Sequence, residues 1–96
     1  MIIKVKGHLT FREIIGKREI ELPDDKQICL HVFLRDLSGE IGGKHGQAIY
    51  DDESGTVGQY VAIMHNGRHI NHLPDGLDTL MKAGDEVSIF PPGAGG

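Results

Sequence analysis

The 96-residue sequence has few of the features that stabilise small secreted proteins or anchor membrane proteins. Its single cysteine, Cys29, cannot form an internal disulfide or a cysteine-paired metal site, which suits a reducing compartment. No apolar run approaches the roughly 18 residues of a membrane span, and Met1 leads directly into a strand-like segment instead of a signal peptide. We therefore expect a cytoplasmic protein with no membrane partner.

The motifs of nucleotide binding and of nucleophilic catalysis are also missing. No glycine-rich loop follows a strand and opens a helix, and the sequence has neither a serine elbow nor a plausible Cys/His pair. The net charge of −4 argues against general nucleic-acid binding. We expect neither a bound cofactor nor an active site built from the usual enzyme constellations.

Three histidines, His65, His69 and His72, form a cluster with metal-ligand chemistry. They surround Asn66-Gly67, a dipeptide typical of two-residue hairpin turns. A hairpin sends successive side chains to opposite faces, so the three rings would not converge. We interpret them as solvated or hydrogen-bonded histidines and predict no metal site.

Hydrophobic patterning predicts one α+β domain over residues 1–90, with a mixed sheet of about five strands and one main helix across it. A short helical turn is expected at residues 77–80, with Leu77 and Leu80 pointing inward. The strand after the Asn66-Gly67 turn would return over residues 68–70. The remaining predicted strands cover residues 1–6, 18–22, 48–50, 59–65 and 86–90.

The main helix is predicted to begin at a cap at Asp24 or Asp25 and to end at Gly39. The residues between Ile28 and Leu37 are mostly apolar, so the sheet should cover most of the helix, with Cys29 as an inert core thiol. The polar positions fall on one narrow line along the helix: Gln27, His31, Arg35 and Ser38.

Residues 39–59 show the weakest pattern. They contain six glycines and the acidic cluster Asp51-Asp52-Glu53, which lacks the ligand spacing of a calcium loop. We expect Gly42-Gly43 to be a flexible loop, and residues 51–55 to form a turn between the short strand at 48–50 and the next strand.

The last seven residues form the candidate functional segment. Pro91 and Pro92 end the last strand and hold the chain extended, so we predict a flexible tail over residues 91–96. The four residues after the prolines have no side chain larger than a methyl group and could enter a narrow channel: Gly93, Ala94, Gly95 and Gly96. The Gly96 carboxylate would become reactive once adenylated from ATP, which requires an activating partner. The alternative is a small, disordered terminus without a role.

Charge is distributed unevenly along the chain. Residues 1–50 carry 8 basic and 7 acidic residues, whereas residues 51–96 carry 2 basic and 7 acidic residues. An acidic C-terminal half would suit a basic docking surface on a partner. An ordinary solvated face is the alternative interpretation.

Several of these segments occur together in a known family. The sequence resembles the MoaD/ThiS group of ubiquitin-like sulfur carriers. The segments that carry the resemblance are Phe11–Gly16 after the first strand, Asn66-Gly67-Arg68, Gly76–Leu80, Ala83–Val87 and the ending Phe90–Gly96. The resemblance covers most of the chain and is most specific over the last thirty residues. Residues 39–59 are longer than the family's compact form. The resemblance implies a β-grasp fold.

The resemblance also implies a reaction cycle. An adenylating enzyme of the ubiquitin-activating type (MoeB/ThiF-like) would use ATP and Mg²⁺ to adenylate Gly96, and sulfur would replace AMP to give a thiocarboxylate. As the small subunit of molybdopterin synthase, the chain would then insert its tail into a MoaE-like large subunit and donate sulfur to a pterin precursor. The resemblance thus implies that Gly96 is the reacting residue and that Phe90 belongs to the docking surface. It also implies that the segment inserted into the partner consists of Gly93, Ala94 and Gly95.

Other functions are compatible with the same tail. The activated tail could serve sulfur transfer to tRNA or to a thiamin precursor, although thiamin carriers usually lack the Pro-Pro pair. It could instead form isopeptide bonds with target-protein lysines, as ubiquitin does. A ubiquitin-like interaction domain with an idle tail is a further alternative.

Overall fold

The computed structural model describes residues 1–91. The predictions for Pro92 and for Gly93, Ala94, Gly95 and Gly96 lie outside the described residues. Within residues 1–91, no helix is long and apolar enough to cross a membrane.

A five-stranded mixed sheet forms the centre of the fold, as predicted. Its strands are β1 (Ile2–Gly7), β2 (Lys17–Glu21), β5 (Ala62–His65), β6 (Arg68–His69) and β7 (Glu86–Phe90). The spatial order is β2-β1-β7-β5-β6, with β1 and β7 parallel and the other pairs antiparallel. A second sheet pairs β3 (Tyr50–Asp51) with β4 (Thr56–Val57).

The hydrophobic core lies between this sheet and α1 (Leu30–Ile41). Alternation along β1 and β7 sends every second side chain toward the helix, and the residues that face it are fully buried. Burying each such aliphatic side chain contributes about 1.5–3 kcal/mol, so this layer accounts for much of the stability. The fully buried members from sheet and helix are Ile3, Val5, Ile63, Val87, Ile89, Leu30, Leu34 and Leu37.

The helix begins at Leu30, with Cys29 at the N-cap position, so the predicted start at Asp24 or Asp25 is wrong. Cys29 is only half-buried and lies outside the core cluster, contrary to its prediction as a core residue. The propensity of aspartate for caps was a local signal, and a distant part of the chain overrides it here.

Backbone pairing with that distant segment keeps the residues before the helix extended. The Leu30 amide donates to the Thr79 carbonyl, and the Met81 amide donates to the Ile28 carbonyl, each at 2.8 Å. The prediction that Leu80 points inward is wrong, because in this paired segment Leu80 is 43% exposed and its neighbour Met81 is buried instead.

The helix also ends later than predicted, at Ile41, and Gly39 lies inside it on the exposed side. Gly42 ends the helix with a φ of 70°, a left-handed conformation that favours glycine. The predicted flexible loop at Gly42-Gly43 is therefore wrong, because these residues join α1 directly to a second helix, α2 (Gly43–Ile49).

The second helix packs closely on the first. A Cβ at Gly46 would lie 2.3 Å from the Ser38 carbonyl oxygen, so only glycine allows this approach. Ser38 is therefore buried instead of lying on the exposed polar line that the sequence predicted. The turn at residues 51–55 is confirmed, with the Gly55 amide donating to the Asp51 carbonyl at 2.7 Å.

The strand predicted at residues 59–65 is shorter and begins at Ala62. Tyr60 has a φ of 64° and is 73% exposed, so the preceding residues form an irregular connection. The two-residue hairpin is confirmed: Asn66 and Gly67 have φ values of 51° and 82°, which a type I′ turn requires. The last strand, Glu86–Phe90, has the predicted limits.

Candidate functional site

The last strand fixes the point at which the chain leaves the sheet. β7 lies between β1 and β5, so it is hydrogen-bonded on both sides. Val87 and Ile89 are fully buried on the helix side, and Phe90 lies half-buried on the opposite, open face, as predicted. Only Pro91 follows among the described residues, and its fixed φ ends the ladder.

A second aromatic ring holds Phe90 in place. The His8 imidazole stacks on the Phe90 ring with a centroid distance of 4.2 Å and an angle of 8° between the planes. The His8 amide donates to the Ile89 carbonyl at 2.9 Å, which extends the pairing of β1 and β7 by one residue. The residue that precedes the tail is therefore supported by both backbone and side-chain contacts.

A groove of about 520 Å³ opens on the sheet face beside this stacked pair. Its wall is mainly apolar and includes Leu9, Ala62, Met64 and Phe90. Arg12 and the two imidazoles of His8 and His69 are its polar members. Clefts with an apolar wall and few polar groups are typical of binding sites.

The charge of this groove differs from the net charge of the C-terminal half of the sequence. Among residues 1–91, no aspartate or glutamate lines the groove, and Arg12 is the one permanently charged residue there. The acidic cluster Asp51-Asp52-Glu53 lies instead at the turn between β3 and β4. Sequence position alone could not separate these two surfaces, because the fold brings residues 8–12 next to Phe90.

One glycine allows the groove wall to form. A Cβ at Gly7 would lie 2.3 Å from the Phe11 carbonyl oxygen and 2.8 Å from the Ile15 Cβ, so the 3-10 turn at Leu9–Arg12 can pack over the end of β1 only if residue 7 is glycine. Leu9 has a φ of 55° and is 58% exposed. An apolar side chain held in this disfavoured conformation at the rim suggests a functional constraint on the turn.

The opposite end of β7 is tied to the hairpin by a polar network. The Asp85 carboxylate lies 2.9 Å from His65 Nε2 and accepts hydrogen bonds from Asn66 Nδ2 at 3.0 Å and from the Lys82 amide at 2.8 Å. Burial raises the pKa of Asp85, but the hydrogen bonds from Asn66, His65 and Lys82 outweigh it and lower that pKa below its ordinary value. The network stabilises the start of β7 and lies at the opposite end of that strand from the groove.

The histidines do not form a metal centre in the part of the chain that the structure describes. His65 is hydrogen-bonded, as predicted, and the rings of His69 and His72 lie 6.1 Å apart in an edge-on contact. His69 Nδ1 accepts a hydrogen bond from the Asn71 amide at 3.1 Å. Among residues 1–91 no three His, Cys, Asp or Glu side chains come together as metal ligands.

Of the predicted site residues, the structure describes Phe90 alone and places it at the groove. Sequence reasoning missed His8, Leu9 and Met64. The alternation of β5 could have indicated Met64, because Ile63 faces the core and its neighbours must face the open side. No local signal indicated His8, whose contact with Phe90 joins residues 82 positions apart.

Comparison with known proteins identifies relatives along the whole chain. The sequence model of the ThiS family matches residues 10–96. Small archaeal modifier protein 3 of Haloferax volcanii is 38% identical over 96 residues, which is 100% of this chain and 100% of the relative.

Solved structures show the same architecture. A solution structure of a Haloferax volcanii protein is similar with a TM-score of 0.71 and 35% identity, covering 100% of this chain and 87% of that chain. The solution structure of small archaeal modifier protein 1 from Methanosarcina acetivorans is similar with a TM-score of 0.69 and 31% identity, covering 99% and 96% respectively. The predicted ubiquitin-like β-grasp fold is confirmed.

Proposed function

Because the chain belongs to the ThiS family of ubiquitin-like sulfur carriers and modifiers, we propose that Gly96 is its reacting residue and that its carboxylate is activated by a separate adenylating enzyme. The observation that supports this most directly is the placement of β7. The central strand of the sheet ends at Phe90, beside an apolar groove, one residue before the Pro-Pro pair. A rigid domain is thus joined to a short run of small residues.

The first step is formation of an acyl-adenylate. A carboxylate oxygen of Gly96 attacks the α-phosphorus of ATP, and pyrophosphate leaves with its Mg²⁺. The enzyme of the ubiquitin-activating type supplies the ATP site. Gly93, Ala94 and Gly95 thread into its channel because none has a side chain larger than a methyl group.

Sulfur transfer is the proposed second step. The terminal sulfur of a persulfide on the sulfur donor attacks the acyl carbon, AMP leaves with the bonding electrons, and an acyl disulfide forms. A second thiol of the donor then attacks the other sulfur of this disulfide, so a donor disulfide forms and the thiocarboxylate is released on Gly96. As the small subunit of molybdopterin synthase, the chain would then carry this sulfur into a MoaE-like large subunit and to a pterin precursor. The family match and the Pro-Pro-Gly-Ala-Gly-Gly ending support this assignment.

Protein modification is the second candidate function. The full-length similarity to small archaeal modifier protein 3 favours it, because the two chains align without a missing segment. Here the amine of a target lysine attacks the activated Gly96 carbonyl, an isopeptide bond forms, AMP leaves and the ammonium proton passes to a base. Both functions share the same activated intermediate, and tRNA thiolation could draw on the same thiocarboxylate.

The groove beside Phe90 is the proposed docking surface for the activating enzyme. Docking there would place the enzyme next to the start of the tail, which shortens the distance that the tail must span. The partner surface should be mainly apolar, with a carboxylate opposite Arg12. The large subunit would use the same surface in a separate complex, since both must receive the same tail.

Intact-mass measurement tests the activation of Gly96 and the transfer of sulfur to it. The chain is incubated with an adenylating enzyme, Mg-ATP and a sulfur source, and we expect exchange of one oxygen for one sulfur. Deletion of Gly96 should abolish the exchange but leave the melting temperature unchanged, because the core lies within residues 1–91. A large loss of stability on deletion would mean that the tail has a structural role.

Conjugation is detected by a specific remnant on target lysines. Lys82 is the last basic residue, so trypsin leaves the 14-residue segment 83–96 on the acceptor lysine instead of a Gly-Gly remnant. Finding this branched peptide in extracts of the native organism would support the modifier function. Its absence under conditions in which the thiocarboxylate accumulates would support the carrier function alone.

A further inference from the structure

His8 has a side-chain atom that the free chain leaves without a partner. Its Nε2 is buried and makes no hydrogen bond within the part of the chain that the structure describes. Buried polar atoms without partners are rare, and each weakens the fold that contains it. A phenylalanine at this position could stack on Phe90 equally well without the unpaired nitrogen.

Two other histidines have hydrogen-bond partners for a ring nitrogen, which distinguishes them from His8. His65 Nε2 pairs with Asp85 at 2.9 Å, and His69 Nδ1 accepts the Asn71 amide at 3.1 Å. His8 differs in that it lines the groove and lies against the last ring before the tail. The unpaired nitrogen is therefore located at the proposed docking surface.

The backbone around His8 leaves the imidazole little freedom. Its amide is held by Ile89, and the preceding Gly7 packs against the Phe11 carbonyl. The following residue, Leu9, is exposed at the rim of the groove. A docked partner that contacts Nε2 would therefore have to displace side chains at the rim, whereas the core on the other face of the sheet could stay in place.

We propose that His8 is a positioning residue for activation of the tail: its ring directs Phe90, and its Nε2 hydrogen-bonds a backbone group of the docked activating enzyme. This inference rests on the proposed function, since it assumes that an enzyme binds the groove and receives the tail. The stack sets the direction in which residue 91 leaves the sheet. The hydrogen bond then makes docking selective for a partner that satisfies the nitrogen.

Two substitutions distinguish the role of the stacked ring from the role of Nε2. His8→Phe keeps the stack and removes the nitrogen, whereas His8→Ala removes both. His72→Phe is a matched control, because His72 is exposed and does not line the groove. Each variant is assayed for ATP–pyrophosphate exchange with the cognate activating enzyme, with the chain as the varied substrate, and for its melting temperature.

We expect His8→Phe to raise the KM for the chain about 5- to 10-fold, as befits one lost hydrogen bond, while kcat stays within about twofold. Its melting temperature should equal or exceed that of the wild type. His8→Ala should raise KM further and also lower kcat, because the tail is no longer directed. His72→Phe should behave as the wild type.

A wild-type KM for His8→Phe would overturn the role of the nitrogen, and a wild-type kcat for His8→Ala would overturn the role of the stack. Both results differ from failure of the proposed function. If the proposed function were wrong, the wild-type chain itself would support no ATP–pyrophosphate exchange, and the inference about His8 would be wrong as well.

Discussion

Replacement of Asp85 by alanine should destabilise the domain much more than replacement of an exposed carboxylate. Asp85 is only 8% exposed and accepts hydrogen bonds from three donors, His65 Nε2, Asn66 Nδ2 and the Lys82 amide. An ionised carboxylate can only accept, so the imidazole must donate to it. The Asp85→Ala variant would leave all three donors without their acceptor.

The size of the expected loss of stability depends on how many of the three donors remain buried in the variant. Each buried donor left unpaired costs about 1–3 kcal/mol. The His65 ring is buried and the Lys82 amide is partly buried, whereas the Asn66 amide can turn toward solvent. We therefore expect a loss of about 2–4 kcal/mol in the free energy of unfolding. For a domain of this size, this loss lowers the melting temperature by about 10–25 °C.

Urea and thermal denaturation at pH 7 measure this loss. Asp85→Asn should be intermediate, because the amide retains one acceptor oxygen. Asp52→Asn is the control, since it removes the same charge from an exposed position. If Asp85→Ala were within about 0.5 kcal/mol of the control, the network would not contribute as its geometry indicates.

The same network predicts a dependence of stability on pH. The folded pKa of Asp85 lies below its ordinary value, so its contribution is complete above the unfolded pKa and is lost as pH falls through the folded pKa. Wild-type stability should therefore decline below roughly pH 4, and Asp85→Asn should lack this part of the decline. Parallel profiles for the two proteins in that range would contradict the assignment.

Substitutions elsewhere test the packing and the docking surface. Gly7→Ala should cost about 1–3 kcal/mol in urea denaturation, because its Cβ would lie 2.3 Å from the Phe11 carbonyl oxygen. Gly39→Ala should instead stabilise by about 0.5–1 kcal/mol, since it lies inside α1 with open space around it; destabilisation would contradict the helix limits. Leu34→Ala should cost about 2–5 kcal/mol because this side chain is fully buried. Phe90→Ala should raise the KM of the chain for the activating enzyme about tenfold; an unchanged KM would exclude the groove as the docking surface.

The strands at the two ends of the domain were predictable from the sequence for a simple reason. Alternating patterns such as those of β1 and β7 report burial directly, since neighbouring side chains point to opposite faces. The turn at Asn66-Gly67 was also predictable, because positive φ values select for those residue types. Each of these signals is local.

The second helix was not predictable in the same way. Its sequence, Gly43–Ile49, contains two glycines and only two apolar residues, so neither propensity nor periodicity indicates a helix. It forms because Gly46 packs against the Ser38 carbonyl, a contact between elements. The delayed start of α1 has the same kind of cause, since pairing with Thr79 and Met81 holds the preceding residues extended.

The candidate site was predictable only in part. The small-residue ending and Phe90 could be identified from the sequence because they are consecutive. The groove could not, since it combines residues 8–12 with residues from β5, β6 and the end of β7. The charge at this surface is likewise a result of topology, because Arg12 comes from the N-terminal half of the chain.

The most direct test of the proposed function is to locate sulfur on the chain. After incubation with an activating enzyme, Mg-ATP and a sulfur source, the chain is cleaved with trypsin and the peptide 83–96 is fragmented in a mass spectrometer. We predict one oxygen-to-sulfur exchange in this peptide, confined to the C-terminal fragment that contains Gly96, and dependent on ATP. Failure to observe the exchange with any cognate enzyme, or its location at Cys29 instead, would contradict the proposed function.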